Sequence, residues 1–164
     1  METLYVFVEG PDDERFFQSH YSNRCVKLIK YANTPPKAIN GMLRTLKRQR
    51  SPYIFLTDSD GAAPDAKIEK VLRKFTECEP SQVFVICFEI ESWYLAGLNQ
   101  QDSQKLGIKF ISLTDSITKE QFDSLIPKGF SRLDIMLEIL QRFDKTSALQ
   151  RNTSYRYYSN CNYA

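Results

Sequence analysis

Carboxylates stand where the apolar runs of this sequence stop. Leu4-Tyr5-Val6-Phe7-Val8 leads into Glu9, residues 53–57 lead into Asp58 and Asp60, and residues 83–88 lead into Glu89 and Glu91. Asp13 follows Glu9 by about one helical turn and can return to the same rim. Two carboxylates about 4 Å apart repel by roughly 4 kcal/mol at an effective dielectric near 20. Several such pairs would rival a total folding stability of about 5–15 kcal/mol. A rim of this kind must bind cations, share protons or be neutralised by Lys or Arg. Its ligands are oxygens alone, with no His or Cys beside them, so the hard ions Mg²⁺ and Mn²⁺ fit best. Each acid also has a local reading: Asp12 or Asp13 caps a helix, and Asp58-Ser59-Asp60-Gly61 makes a turn. Acids at three strand ends on one rim are harder to explain one at a time. Glu89 and Glu91 share a face if both lie on a strand, so one of the two is expected to turn inward.

The elements that would position these acids alternate between strand and helix. Residues 4–8, 25–30, 53–57 and 83–88 are short apolar runs rich in β-formers, as expected for strands buried on both faces. Helices are expected over 12–20, from Pro35-Pro36 to about 49, and over about 65–76. Ile39, Met42, Leu43 and Leu46 form the apolar stripe of the second, and Ile68, Val71, Leu72 and Phe75 that of the third. Glu89–Leu95 looks like the start of a helix, and beyond residue 99 the pattern predicts helices near 101–106, 118–125 and 131–143. The expected fold is therefore α/β and Rossmann-like: a central parallel sheet of about four strands flanked by helices, with a helical C-terminal part. In such sheets function gathers beyond the carboxyl ends of the strands, at a switch in strand order.

The motifs carry a resemblance. Val8-Glu9-Gly10-Pro11-Asp12-Asp13 resembles the first Toprim motif, and Phe55-Leu56-Thr57-Asp58-Ser59-Asp60-Gly61 resembles the second, a strand-borne Asp-x-Asp. Glu91-Ser92-Trp93-Tyr94-Leu95-Ala96 is similar to a Glu-x-Trp-Leu-Leu-Ala stretch of small bacterial Toprim-like proteins related to the OLD-family nucleases. The likeness covers about residues 3–97, followed by a looser extension over about 100–164, all read as one domain. It implies a Toprim-like fold and phosphodiester hydrolysis with Mg²⁺ or Mn²⁺, two ions in all. Glu9 would be general acid/base or ligand. Asp58 and Asp60 would hold the metal, and Asp13 and Glu91 would complete a second site, with Glu89 as neighbour. A late lysine assists in OLD-type domains, and Lys128 is its first candidate here, Lys145 the second. Two ions about 3.5–4 Å apart would flank the scissile phosphate. A tyrosine nucleophile would instead leave a covalent link, as in topoisomerases, but the chain is far too short for one of those.

A nucleic-acid partner, DNA or RNA, has two candidate surfaces. The helix near 37–50 carries Lys37, Arg44, Lys47, Arg48 and Arg50 with no acid, and Lys37, Arg44 and Arg48 share a face. From Lys145 the chain offers Arg151 and Arg156 interleaved with Tyr155, Tyr157, Tyr158 and Tyr163. Basic groups hold phosphates and aromatic rings stack on unpaired bases. A basic face is also often only solvated, and the aromatic tail could equally pack onto the body or form a homodimer contact. The other function class is a non-catalytic Toprim-like nucleic-acid-binding or regulatory module. It would work with a separate partner such as an ATPase, which OLD proteins carry on the same chain, or a toxin–antitoxin component. A defence or toxin role is suggested only by the family's company.

Composition sets the outer bounds. With 164 residues, 42% hydrophobic and 26% charged, the chain is an ordinary globular length that needs neither disulfides nor a structural metal. A net charge of +2 favours no partner class in bulk. The lone histidine, His20, excludes multi-His zinc sites, and no cysteine pair has zinc spacing. Cys25 and Cys87 lie in apolar runs and are expected to be buried. No run approaches a membrane span, and Met1-Glu2-Thr3 lacks a basic leader, which predicts a cytoplasmic protein.

Overall fold

A computed structural model describes residues 2–21 and 25–161. The chain forms two compact units, Met1–Val85 and Ile86–Ala164. In the first, β1 (Leu4–Val8), β2 (Val26–Lys30), β3 (Tyr53–Asp58) and β4 (Val83–Ile86) make an all-parallel sheet in the order β2-β1-β3-β4. The last residue of β4 opens the second unit. Val6 sits opposite Leu28 on one side and Ile54 on the other, so β1 is central. Three helices make the crossovers: α1 (Pro11–His20), α2 (Pro36–Gln49) and α3 (Pro64–Lys74). Each opens on proline, whose fixed φ and missing N–H suit a first helical position.

The strand order explains the layering. From β1 the chain steps outward to β2, then returns past β1 to β3 and β4. Right-handed crossovers put α1 on one face and α2 and α3 on the other. The second face is one apolar cluster: Phe7, Tyr53 and Phe55 from the sheet pack with Ile39, Leu43 and Leu46 of α2 and with Val71 and Phe75. Phe7 and Phe55 stack with ring centroids 5.5 Å apart. The alternate residues Val6, Val8, Ile54 and Leu56 are also fully buried, which is why β1 and β3 read as continuous apolar runs.

The second unit is helical: α4 (Glu91–Ala96), α5 (Gln100–Leu106), α6 (Lys119–Ser124), α7 (Arg132–Gln141), α8 (Lys145–Arg151) and α9 (Thr153–Asn160). Side chains cap five of these. Asn99, Thr118, Ser131, Asp144 and Asn152 each accept a backbone N–H of the turn that follows. Trp93 anchors the core, with the rings of Tyr155 and Tyr158 at 5.1 and 5.2 Å. Its indole N–H donates to Ser154 Oγ at 2.8 Å.

The structure differs from expectation in three places. The strand expected over 83–88 stops at Ile86, because Phe88 takes a left-handed φ of 53° and turns the chain before α4. Helices α8 and α9 lie where the sequence was read as a basic, aromatic tail. Of the cysteines expected to be buried, Cys25 is exposed and Cys87 half-buried. Cys25 precedes β2, an edge strand with a neighbour on one side only, and the buried thiol is Cys78. Among the described residues no helix is long and apolar enough to cross a membrane.

Candidate metal centre

The switch in strand order falls between β1 and β3, and Glu9 and Asp58 stand at the carboxyl ends of these two strands. Glu9 follows Val8 directly. Gly10 then begins α1, and its N–H donates to Asp13 Oδ2 at 3.0 Å. Asp13 thus serves the first turn of α1, where a carboxylate also suits the helix dipole. It is only 5% exposed, and Asp13 Oδ1 and Asp58 Oδ1 are both shielded from solvent.

Tyr31 stands beside Glu9. It follows β2, and its N–H extends the ladder by donating to the Val8 carbonyl at 3.0 Å. Its hydroxyl donates to the Leu56 carbonyl at 2.9 Å and lies 3.4 Å from Glu9 Oε2. Burial above all, then the charge of Glu9, with Asp58 and Asp13 adding to it, holds this phenol far above the ordinary tyrosine value. Of these acids, Glu9 is the one that stands beside the Tyr31 hydroxyl. Sequence reading did not single out Tyr31, because a tyrosine closing a strand reads as core.

The remaining acids are engaged by basic groups or backbone. Asp60 has a left-handed φ of 49° and an exposed carboxylate, and it pairs with the ammonium of Lys67 in the first turn of α3. Lys67 is 9% exposed. In the second unit Glu91, 3% exposed, pairs with Arg132 at the start of α7. Arg132 pairs with Asp123 as well and lies over the Phe122 ring. Glu89 accepts the backbone N–H of Lys119. Neither Lys67 nor Arg132 was expected. Lys128 is exposed in the turn before α7, and Lys145 is exposed at the start of α8.

The basic residues divide in the same way. Lys37, Arg44, Lys47 and Arg48 are all exposed on α2. Arg44 and Lys47 both pair with Glu77, and Arg44 holds its carboxyl below the usual range. Arg151 is buried: its guanidinium donates to the carbonyls of Ala96, Leu98 and Ile111 and lies over the Phe110 ring, so its donors serve the fold of the second unit. Arg156 is exposed and donates to the Leu149 and Gln150 carbonyls. Tyr155 and Tyr158 pack in the core, Tyr157 is exposed, and Tyr163 lies outside the described residues.

The donor set suits a hard divalent cation, since Glu9, Asp13 and Asp58 offer carboxylate oxygens alone. Among the described residues no three Asp, Glu, His or Cys side chains stand close enough to hold an ion together. A groove of about 460 Å³ in the first unit is apolar and lies elsewhere, lined by Tyr5, Ile29, Met42 and Leu46 among others. Comparisons with protein-family models, curated proteins and solved structures return no match.

Proposed function

We propose that this chain is a Toprim-like, Mg²⁺- or Mn²⁺-dependent nuclease that hydrolyses phosphodiesters of DNA or RNA in the cytoplasm. One observation carries the reading: Glu9 and Asp58 stand at the carboxyl ends of β1 and β3, the two strands on either side of the switch point of a parallel sheet, with Asp13 in the first turn of the helix that follows Glu9. A cation held by these carboxylates would supply Lewis acidity to a bound phosphodiester. Glu9 is the group to take a proton from the attacking water, because it closes β1 and is half-exposed. Asp13 is held by the Gly10 N–H and offers a fixed oxygen. The exposed α2 residues Lys37, Arg44, Lys47 and Arg48 offer positive charge to the backbone of the nucleic acid.

A second reading draws on the ion pairs. Asp60 is matched by Lys67 in the first unit and Glu91 by Arg132 in the second, so both of these acids are neutralised within their own unit. That favours a non-catalytic, nucleic-acid-binding or regulatory module acting with a separate ATPase or toxin–antitoxin partner.

Incubation with supercoiled plasmid, single-stranded DNA and structured RNA under Mg²⁺ and Mn²⁺ separates the two. The nuclease reading expects cleavage of at least one substrate, abolished by chelator and reduced at least a hundredfold in Asp58→Asn. Absence of cleavage with every metal and substrate would leave the binding module as the better account. Equal cleavage by Asp58→Asn would overturn the assignment of the rim.

A further inference from the structure

We propose that the open edge of β2 and the groove beside it take up an extended acidic segment of a partner protein, added to the sheet as a further strand. Among the described residues β2 pairs with β1 on one side and with nothing on the other. The Cys25 carbonyl accepts from the Leu4 N–H at 2.9 Å, and the Tyr31 N–H donates to the Val8 carbonyl at 3.0 Å. The odd-numbered residues of this segment therefore turn their backbone groups towards β1, and Val26, Leu28 and Lys30 turn theirs outward. Thr34 Oγ1 donates to the Lys30 carbonyl at 2.9 Å. The N–H and C=O of Val26 and Leu28 have no protein partner among the described residues. Such an edge is a template for another strand.

The side chains decide which strand fits. Tyr5, Lys27 and Ile29 of the sheet line the groove of about 460 Å³ on one side, and Gly41, Met42 and Leu46 of α2 line it on the other. Gly41 lies in the middle of α2, where glycine is less favourable than alanine, yet a Cβ there would meet nothing within 4 Å. No packing within the chain calls for that glycine; its absent side chain leaves room for one entering from outside. Lys27 is the charged residue of the lining, and among the described residues its ammonium faces the Tyr5 ring at 6.0 Å and no carboxylate. Helix α2 adds Lys37, Arg44, Lys47 and Arg48 and no acid, so the field over the groove is positive. A second copy of this chain would bring Lys27 and Lys30 against themselves, which disfavours self-pairing. The strand that fits places Asp or Glu beside Lys27 and an apolar side chain over Ile29 and Met42, on the same face. A nucleic acid has neither the amides for the edge nor the aliphatic groups for the groove.

The probe is a pool of short labelled peptides in which Asp or Glu stands two residues from Val, Leu, Ile or Phe in a Thr-rich background. Fluorescence anisotropy with the full chain reads binding, and amide hydrogen exchange reads the edge; neither depends on the nuclease reading. The pool should bind and slow exchange at the Val26 and Leu28 amides. Lys27→Glu should weaken binding at least tenfold, and a pool with Lys in place of its acids should recover it. Gly41→Leu, which fills the groove, should also weaken binding at least tenfold. If that variant fails to fold, the charge exchange at the exposed Lys27 still decides. Absence of binding by the pool overturns the proposal. So does equal binding of a pool methylated at alternate backbone nitrogens, which cannot pair with an edge. Displacement of the pool by single-stranded DNA, lost in Lys27→Glu, would give the groove to nucleic acid and overturn the proposal as well. Protection of Val26 and Leu28 in the chain alone, rising with concentration as a dimer forms, would put a second copy there instead.

Discussion

Tyr31 is a single hydroxyl within reach of Glu9, and its proton is already committed. It donates to the Leu56 carbonyl at 2.9 Å, and both burial and the neighbouring carboxylates oppose the tyrosinate form. A neutral, buried phenol is a poor nucleophile, so Tyr31 should not attack a phosphodiester itself. Tyr31→Phe is expected to keep metal-dependent cleavage within about tenfold and to leave no protein bound to the nucleic acid on a denaturing gel. It should cost about 0.5–1.5 kcal/mol in urea unfolding for the lost hydrogen bond. A covalent adduct in the wild type that vanishes in Tyr31→Phe would reverse this assignment. At this scale the sequence was readable in one respect. An acid directly after an apolar run must stand at a strand end, and Glu9 and Asp58 do. The partners were not readable. Lys67 and Arg132 come from helix first turns, 7 and 41 residues from their carboxylates, where a basic residue has no spacing that marks it as the mate of a given acid.

Elements were legible where periodicity or punctuation was strong. The apolar runs of β1 and β3 each mark a buried strand, and the stripe read on α2 buries Ile39, Leu43 and Leu46 while Met42 at its edge is exposed. Helix α9 was missed because its apolar positions are tyrosines, and Tyr155 and Tyr158 between basic residues resemble a stacking surface as much as a core stripe. Its start was written in Asn152, a wholly buried cap. That side chain accepts from Ser154 Oγ and the Tyr155 N–H and donates to Ser92 and Thr114. A close approach sets the end of α4. A Cβ at Gly97 would lie 2.1–2.6 Å from three ring carbons of Phe143, although the Gly97 backbone is an ordinary one for any residue. The neighbouring Asp144 N–H also donates to the Gly97 carbonyl at 2.8 Å, which fixes the strand of chain bearing that ring. Gly97→Ala is therefore expected to destabilise the protein by about 1–3 kcal/mol in thermal or urea unfolding. Phe143→Leu should recover part of the loss in a double-mutant cycle. An unchanged melting temperature in Gly97→Ala would mean that the ring does not rest on this glycine.

For the molecule as a whole, buried acids that are held neutral set a limit on the alkaline side. In the first unit burial pushes the Cys78 thiol up to about 12 and raises the Tyr53 phenol as well, and in the second it pushes Tyr155 up to about 12. Their ordinary values are 9.0 for the thiol and 10.0 for the phenols. Above those values the unfolded chain releases a proton that the folded chain keeps. The stabilisation is therefore complete below the unfolded pKa and is lost as pH rises through the folded one. Each fully titrating group then removes up to about 1.4 kcal/mol per pH unit. Arg151 acts with the opposite sign, since burial draws it down to about 10. Its guanidinium spends its donors on three carbonyls, however, and those bonds favour the charged form, so the acids decide the direction. Denaturant unfolding measured at a series of pH values should show stability level into the neutral range. It should begin to fall near pH 9 and fall more steeply between 10 and 12, with tyrosinate absorbance rising together with the loss of helical circular dichroism. A phenol signal that titrates fully near 10 while the helical signal persists would mean that these tyrosines meet solvent in the folded protein.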